Sequence, residues 1–132
     1  MTGISLPITT LLASSLLAWL LVLSWRVIRF RQSSGASLGD GGDNALQRRI
    51  RAQANLTEYA PLFVALIALL ELQGGNVVVL ALLSVAFLFG RLAHGYALAF
   101  TDKNVIGRVG GMGLTLGASG MAVAYGVISM AL

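Results

Sequence analysis

The chain has no cysteine. A protein without thiols forms no disulfide, builds no thiolate metal site and supplies no thiol nucleophile of its own. Any thiol chemistry it performs must belong to a substrate. Charge is scarce as well: 11% of the 132 residues are charged, against 57% hydrophobic. A soluble domain has about 25% charged residues, so the composition points to a membrane. From Met1 to Trp25 no side chain is charged. That gap removes the basic n-region of a cleavable signal peptide, and the first apolar run reads as a permanent membrane helix. Proline is limited to Pro7 and Pro61. Pro7 falls near a helix start, where a missing N–H is tolerated. Pro61 falls inside a second helix, where a kink that frees the carbonyl of Thr57 is expected.

What is present reads as one all-α domain over residues 1–132, with four hydrophobic segments. The first, residues 4–25, spans ~33 Å at helical rise, enough to cross a bilayer. Arg26, Arg29 and Arg31 close it. Residues 32–44 are rich in Gly, Ser and Asp and read as a flexible loop. Their GDGGD run lacks the preceding strand and the Gly-Lys-Ser/Thr of a phosphate loop. Asn44 and Gln47 have the spacing of a capping box for the next helix. The second segment, residues 45–72, has an uninterrupted apolar part only from Tyr59 to Leu70, too short to span alone. Its span must therefore include polar residues. With Glu71 at one interface, Glu58 lies ~20 Å deep and Arg51 ~30 Å away. Gln73–Asn76 is a turn, with Asn76 the expected N-cap of a third segment, residues 77–100. There Arg91 lies ~22 Å from Asn76, close to the depth of Glu58 on its antiparallel neighbour. A loop with Asp102 and Lys103 leads to a fourth segment, residues 105–130. Its pairs Gly107/Gly111 and Gly113/Gly117 have the spacing that lets helix backbones approach closely. Trp19, Trp25 and Tyr125 read as lipid or interface residues. Every Lys and Arg except Arg91 lies at or beside the two loops at one end. The positive-inside rule then places both termini outside and the basic loops in the cytoplasm. The expectation is an integral membrane four-helix bundle.

Arg48, Arg51, Asn55 and Glu58 share one helical face. In lipid such groups need partners, so two arrangements compete. One is a site for a small zwitterion: Arg pairs with a carboxylate, Glu with an ammonium, and Asn bridges. The other is an internal network in which Glu58 neutralises Arg91. A lone His94 is ordinarily structural, and Arg108 is ordinarily a membrane anchor. Nucleic acid is excluded as a partner, because a membrane domain of this kind offers no stacking platform. No metal cluster is suggested.

The run R-A-Q-x-N-x-x-E-Y-x-P-L-F, Arg51 to Phe63, resembles the signature of the MAPEG proteins, membrane-associated proteins of eicosanoid and glutathione metabolism. The resemblance extends to the four segments, the basic first loop and Arg91-x-x-His94. It implies a homotrimer with sites between subunits and glutathione as co-substrate. Arg51, Asn55 and Glu58 match residues that hold glutathione, with Arg48, Gln53 and Tyr59 adjoining. Arg91 and His94 follow, His94 matching a ligand-facing His of the prostaglandin-forming branch. That branch carries a Tyr where this chain has Leu98, and Tyr96 is out of register with it. Arg108 matches the Arg that polarises the thiol, whose free pKa is about 8.5. Arg31 would reach the ligand from the first helix. The implied activity is glutathione transfer to a lipophilic electrophile, or reduction of a lipid hydroperoxide. Two other classes fit the bare pattern: a small four-helix exporter using Glu58, and a membrane scaffold without turnover.

Overall fold

The computed structural model describes residues 5–131, which form four helices. These are α1 (Pro7–Ser34), α2 (Asn44–Leu72), α3 (Val77–Ala99) and α4 (Val105–Ala131). Each is long and apolar enough to cross a membrane. The expected start of the first segment at Ile4 lies outside the described residues. Its other end differs from expectation. The apolar run stops at Trp25, but α1 continues for two further turns through the arginines to Ser34. Arg and Phe are compatible with helix, and polarity ends the membrane run without ending the helix. Gly35 ends it instead, at φ 73°, donating its N–H to the Arg31 carbonyl at 2.9 Å. This is the left-handed C-cap that glycine adopts without a Cβ penalty.

The start of α2 also differs. Asp43, not Asn44, is the N-cap: its carboxylate accepts from the N–H groups of Ala45 and Leu46 at 2.7 and 3.1 Å. A carboxylate at a helix N-terminus also meets the positive end of the helix dipole. Asn76 caps α3 as expected, accepting from Val78 and Val79. Asn104 does the same for α4 through the Gly107 N–H at 2.8 Å. The helix α2 runs through Pro61 without a break.

α1 begins without a side-chain cap of its own, because Leu6 occupies the N-cap and Pro7 has no N–H. A residue from α2 supplies it. The Glu71 carboxylate accepts from Ile8 N, Thr9 N and Thr9 Oγ1 at 2.9, 2.9 and 2.7 Å. The end of α2 is thus clasped to the start of α1, and the orphan donors there are satisfied. At the same end Tyr125 accepts the Asn76 N–H at 2.7 Å, so it is a strut rather than a free interface residue. Trp19 likewise turns inward against Gly95 and stacks on Phe100, while Trp25 stays exposed.

α3 is the central helix and packs on the other three, most extensively on α4. α4 touches α2 slightly and, among the described residues, does not touch α1. Between α2 and α3 the rings of Phe63 and Phe87 stack at 3.8 Å. Lipid tails are as apolar as leucine, so apolar burial does not drive helices together in a bilayer; close packing and hydrogen bonds do. The closest packing is at Gly90 and Gly111. A Cβ on Gly90 would lie 2.8 Å from the Gly111 carbonyl, and one on Gly111 would lie 2.6 Å from the His94 nitrogen. The sequence pairs Gly111 with Gly107, but the contact that matters runs between helices. Gly107 faces the Asn104 side chain, and Gly113 and Gly117 face open space.

Candidate functional site

The arginine-bearing ends of α1, α2 and α4 lie together at one end of the bundle, where α1 and α3 finish and α2 and α4 begin. Near this basic end the expected site residues fall into three groups.

The first is the outward face of α2. Arg51 and Glu58 are separated by two helical turns and pair at 3.6 Å, both side chains about half exposed. The Asn55 amide donates to the Arg51 carbonyl at 2.9 Å. Glu58 therefore does not neutralise Arg91, although the two lie at similar depth. The helical phase separates them: Glu58 points out from α2, and Arg91 points into the bundle. Arg48, expected on the same face, reaches instead to Asp102 at 2.8 Å and ties α2 to the α3–α4 loop. Gln53 turns to α1 and donates to Ser24 Oγ at 2.9 Å.

The second group is internal. Arg91 is 2% exposed and, among the described residues, has no carboxylate partner. A buried guanidinium must then place its N–H groups on neutral acceptors. Nε donates to Thr115 Oγ1 at 2.8 Å, Nη1 to the Asn55 carbonyl at 3.3 Å, and Nη2 to Met112 Sδ at 3.8 Å. The Tyr59 ring lies 5.2 Å from the guanidinium carbon. Thr115 passes the polarisation on, donating to the Gly111 carbonyl at 2.8 Å. Arg91 thereby links α2, α3 and α4 at the level of the glycine crossing. Thr115 is a residue that sequence reasoning missed. Its signal was a hydroxyl one turn after a glycine in an otherwise apolar helix.

The third group lies on α3 and α4. His94 Nδ1 is 2.9 Å from the Arg108 carbonyl, and its Nε2 is buried without a partner among the described residues. With Nδ1 as the donor, Nε2 carries a lone pair. Arg108 is exposed and lines two cavities. One, of about 180 Å³, is shared with Arg48, Asp102 and Leu98. The other is an almost wholly apolar trough of about 460 Å³, bounded by His94, Val109, Met112 and Leu116. Leu98, in the place of a tyrosine in the prostaglandin-forming branch, thus presents a methyl surface to the cavity beside Arg108. Tyr96 points elsewhere, exposed and stacked on Phe100 at 5.2 Å. Arg31 is half-buried, with Nη1 unpartnered among the described residues.

Four membrane-length helices with an Arg–Asn–Glu face on the second define a class of membrane bundle. The sequence comparisons identify that class. The MAPEG family profile matches residues 9–128, and the chain belongs to that family. Two curated relatives are each 34% identical over 77 residues: the inner membrane protein YecN of Escherichia coli K12 and its namesake in strain O6:H1. The aligned stretch covers 58% of this chain and 59% of each relative. This chain is an integral membrane protein.

Proposed function

We propose that the protein binds glutathione and presents its thiol to a lipophilic electrophile or lipid hydroperoxide. The observation that carries this reading is the Arg51–Glu58 pair, half exposed on a face that would otherwise meet lipid. Arg51 lies near the interface, but Glu58 lies ~10 Å inside the hydrocarbon, where a charge left without a partner is costly. A loose ion pair there is accounted for if a ligand carrying both charges engages it. Glutathione has two carboxylates and an amine, which suit a guanidinium and a carboxylate side by side. Arg108 supports the same reading. It stands between a polar cavity and an apolar trough, as an activator of the thiol next to a greasy substrate would. Its guanidinium would lower the thiol pKa by stabilising the thiolate. Arg31, Arg48, Gln53, Asn55, Tyr59, Arg91 and His94 surround these two in the proposed site, Arg91 acting from within by holding the Asn55 backbone.

A neighbouring copy in a homotrimer would cover the α2 face, and the basic end would be cytoplasmic. The exporter reading is disfavoured because Arg51 already pairs with Glu58 and would repel a cationic substrate. Calorimetric titration of the purified protein with glutathione tests the proposal. Saturable heat is expected, lost in Arg51→Ala by ~2–5 kcal/mol of binding energy. No saturable heat with the wild-type protein ends the glutathione reading.

A further inference from the structure

A second polar concavity lies outside these groups, at the basic end on the α1 side. It is a cleft of about 420 Å³ lined by Trp25, Arg26, Arg29, Phe30, Ser33 and Arg49. Three guanidiniums meet there, and among the described residues no carboxylate pairs with them. The chain has five carboxylates, and each is engaged elsewhere. Asp40 caps the Gly42 N–H, Asp43 caps α2, Glu58 pairs with Arg51, Glu71 clasps α1 and Asp102 pairs with Arg48. Asp43 and Asp102 lie within Coulombic range of Arg49, but so do Arg26 and Arg48.

The cleft is also built. Arg26 donates twice to the Ala99 carbonyl, at 3.1 and 2.8 Å, and its guanidinium lies 3.9 Å from the Phe100 ring centroid. Arg49 donates to the Ala45 carbonyl at 2.9 Å and lies 4.3 Å from the Phe30 centroid. Arg29 is held more loosely, 5.7 Å from Trp25. A guanidinium has five N–H donors, so most remain free to face the cleft. Ser33 is not a competing donor, because its hydroxyl is committed to the Phe30 carbonyl at 2.9 Å.

Position selects the anion. From Pro7 to Trp25 α1 rises ~28 Å, about the thickness of the hydrocarbon core. Trp25 therefore sits at the interface, and Arg26, Arg29 and Arg49 sit at phosphate level. Basic pockets at this level bind lipid head groups. We infer that this cleft holds the phosphodiester head group of an anionic phospholipid, its acyl chains running down the outside of α1. The site is independent of the glutathione reading and stands if that reading fails.

The test is native mass spectrometry of the protein released from mild detergent containing equal phosphatidylglycerol and phosphatidylcholine. Wild type is expected to retain phosphatidylglycerol with about tenfold preference. R29Q should lose most of that preference without loss of fold, since Arg29 is exposed and makes no hydrogen bond within the described residues. R29K should retain part of it, keeping charge but losing the planar fork. K103Q/R108Q, which removes charge from the α3–α4 loop and the first turn of α4 at the same end, should leave it unchanged. Equal retention of the two lipids by wild type overturns the inference. So does an equal loss in K103Q/R108Q, which would mean diffuse attraction. Displacement of the lipid by millimolar inorganic phosphate would assign the cleft to the free ion instead.

Discussion

Arg91 and Arg108 show how differently one side chain is used at two depths. Arg108 is exposed, with its guanidinium available beside two cavities. If it stabilises the thiolate, Arg108→Ala should still bind glutathione, because the ion pair proposed to grip the ligand is on α2. It should fail to ionise it. Ultraviolet thiolate absorbance across pH reads this directly: wild type ionises the bound thiol well below pKa ~8.5, and the variant near that value. Unchanged absorbance would move the role to Arg31 or Arg91. Arg91 is buried and relies on neutral acceptors, above all the Thr115 hydroxyl. Thr115→Val keeps the shape and removes that acceptor. An orphaned buried donor costs about 1–3 kcal/mol, more when charged. Thermal unfolding in detergent should show a clear loss for Val and little for Thr115→Ser. Equal stability for the two would mean that water or lipid satisfies Arg91.

At the scale of helices, the α3–α4 seam rests on the absence of two side chains. A Cβ on Gly111 would meet backbone atoms of His94 and Gly90 at 2.6 and 2.7 Å, and backbone cannot move aside as a side-chain tip can. Gly111→Ala should therefore push the helices apart, costing about 1–3 kcal/mol as overpacking does. It should also displace Arg108, one turn earlier on α4. Gly113→Ala and Gly117→Ala face open space and should leave monomer stability unaltered or slightly raised. A denaturation series on the three variants separates them; equal effects would deny the seam its special place. This contrast marks what the sequence made legible. Segment number, type and most boundaries followed from apolar length and from Asn76, because those are local signals. The Arg-Asn-Glu face followed from helical spacing. What could not be read was phase between helices: that Gly111 answers Gly90, that Glu58 turns from Arg91, that Glu71 caps a helix more than sixty residues away. Nor could the arginines show that α1 continues past its apolar run, because charge marks where the membrane ends and only Gly35 marks where the helix does.

For the whole molecule the outer surface is the one built for contact. α4 leans on α3 alone, with slight help from α2, and its glycines Gly110, Gly113, Gly117 and Gly120 face outward with open space above them. On α2 the Arg51–Glu58 pair also faces outward, with Glu58 inside the hydrocarbon, where lipid offers no hydrogen bond. Small residues and polar groups are what helix contacts in membranes use, so both surfaces suit a neighbouring copy. The expected assembly is a trimer of 13.8 kDa chains, visible by native mass spectrometry from mild detergent. If glutathione binds where copies meet, ligand and assembly are thermodynamically linked. Glutathione should then raise the trimer fraction as detergent is made harsher, and Arg51→Ala should abolish that protection while leaving the unliganded trimer largely intact. A dispersed monomer that binds glutathione with undiminished affinity would show that each chain carries a complete site, and the outward charge pair would then need a lipid or solvent explanation instead.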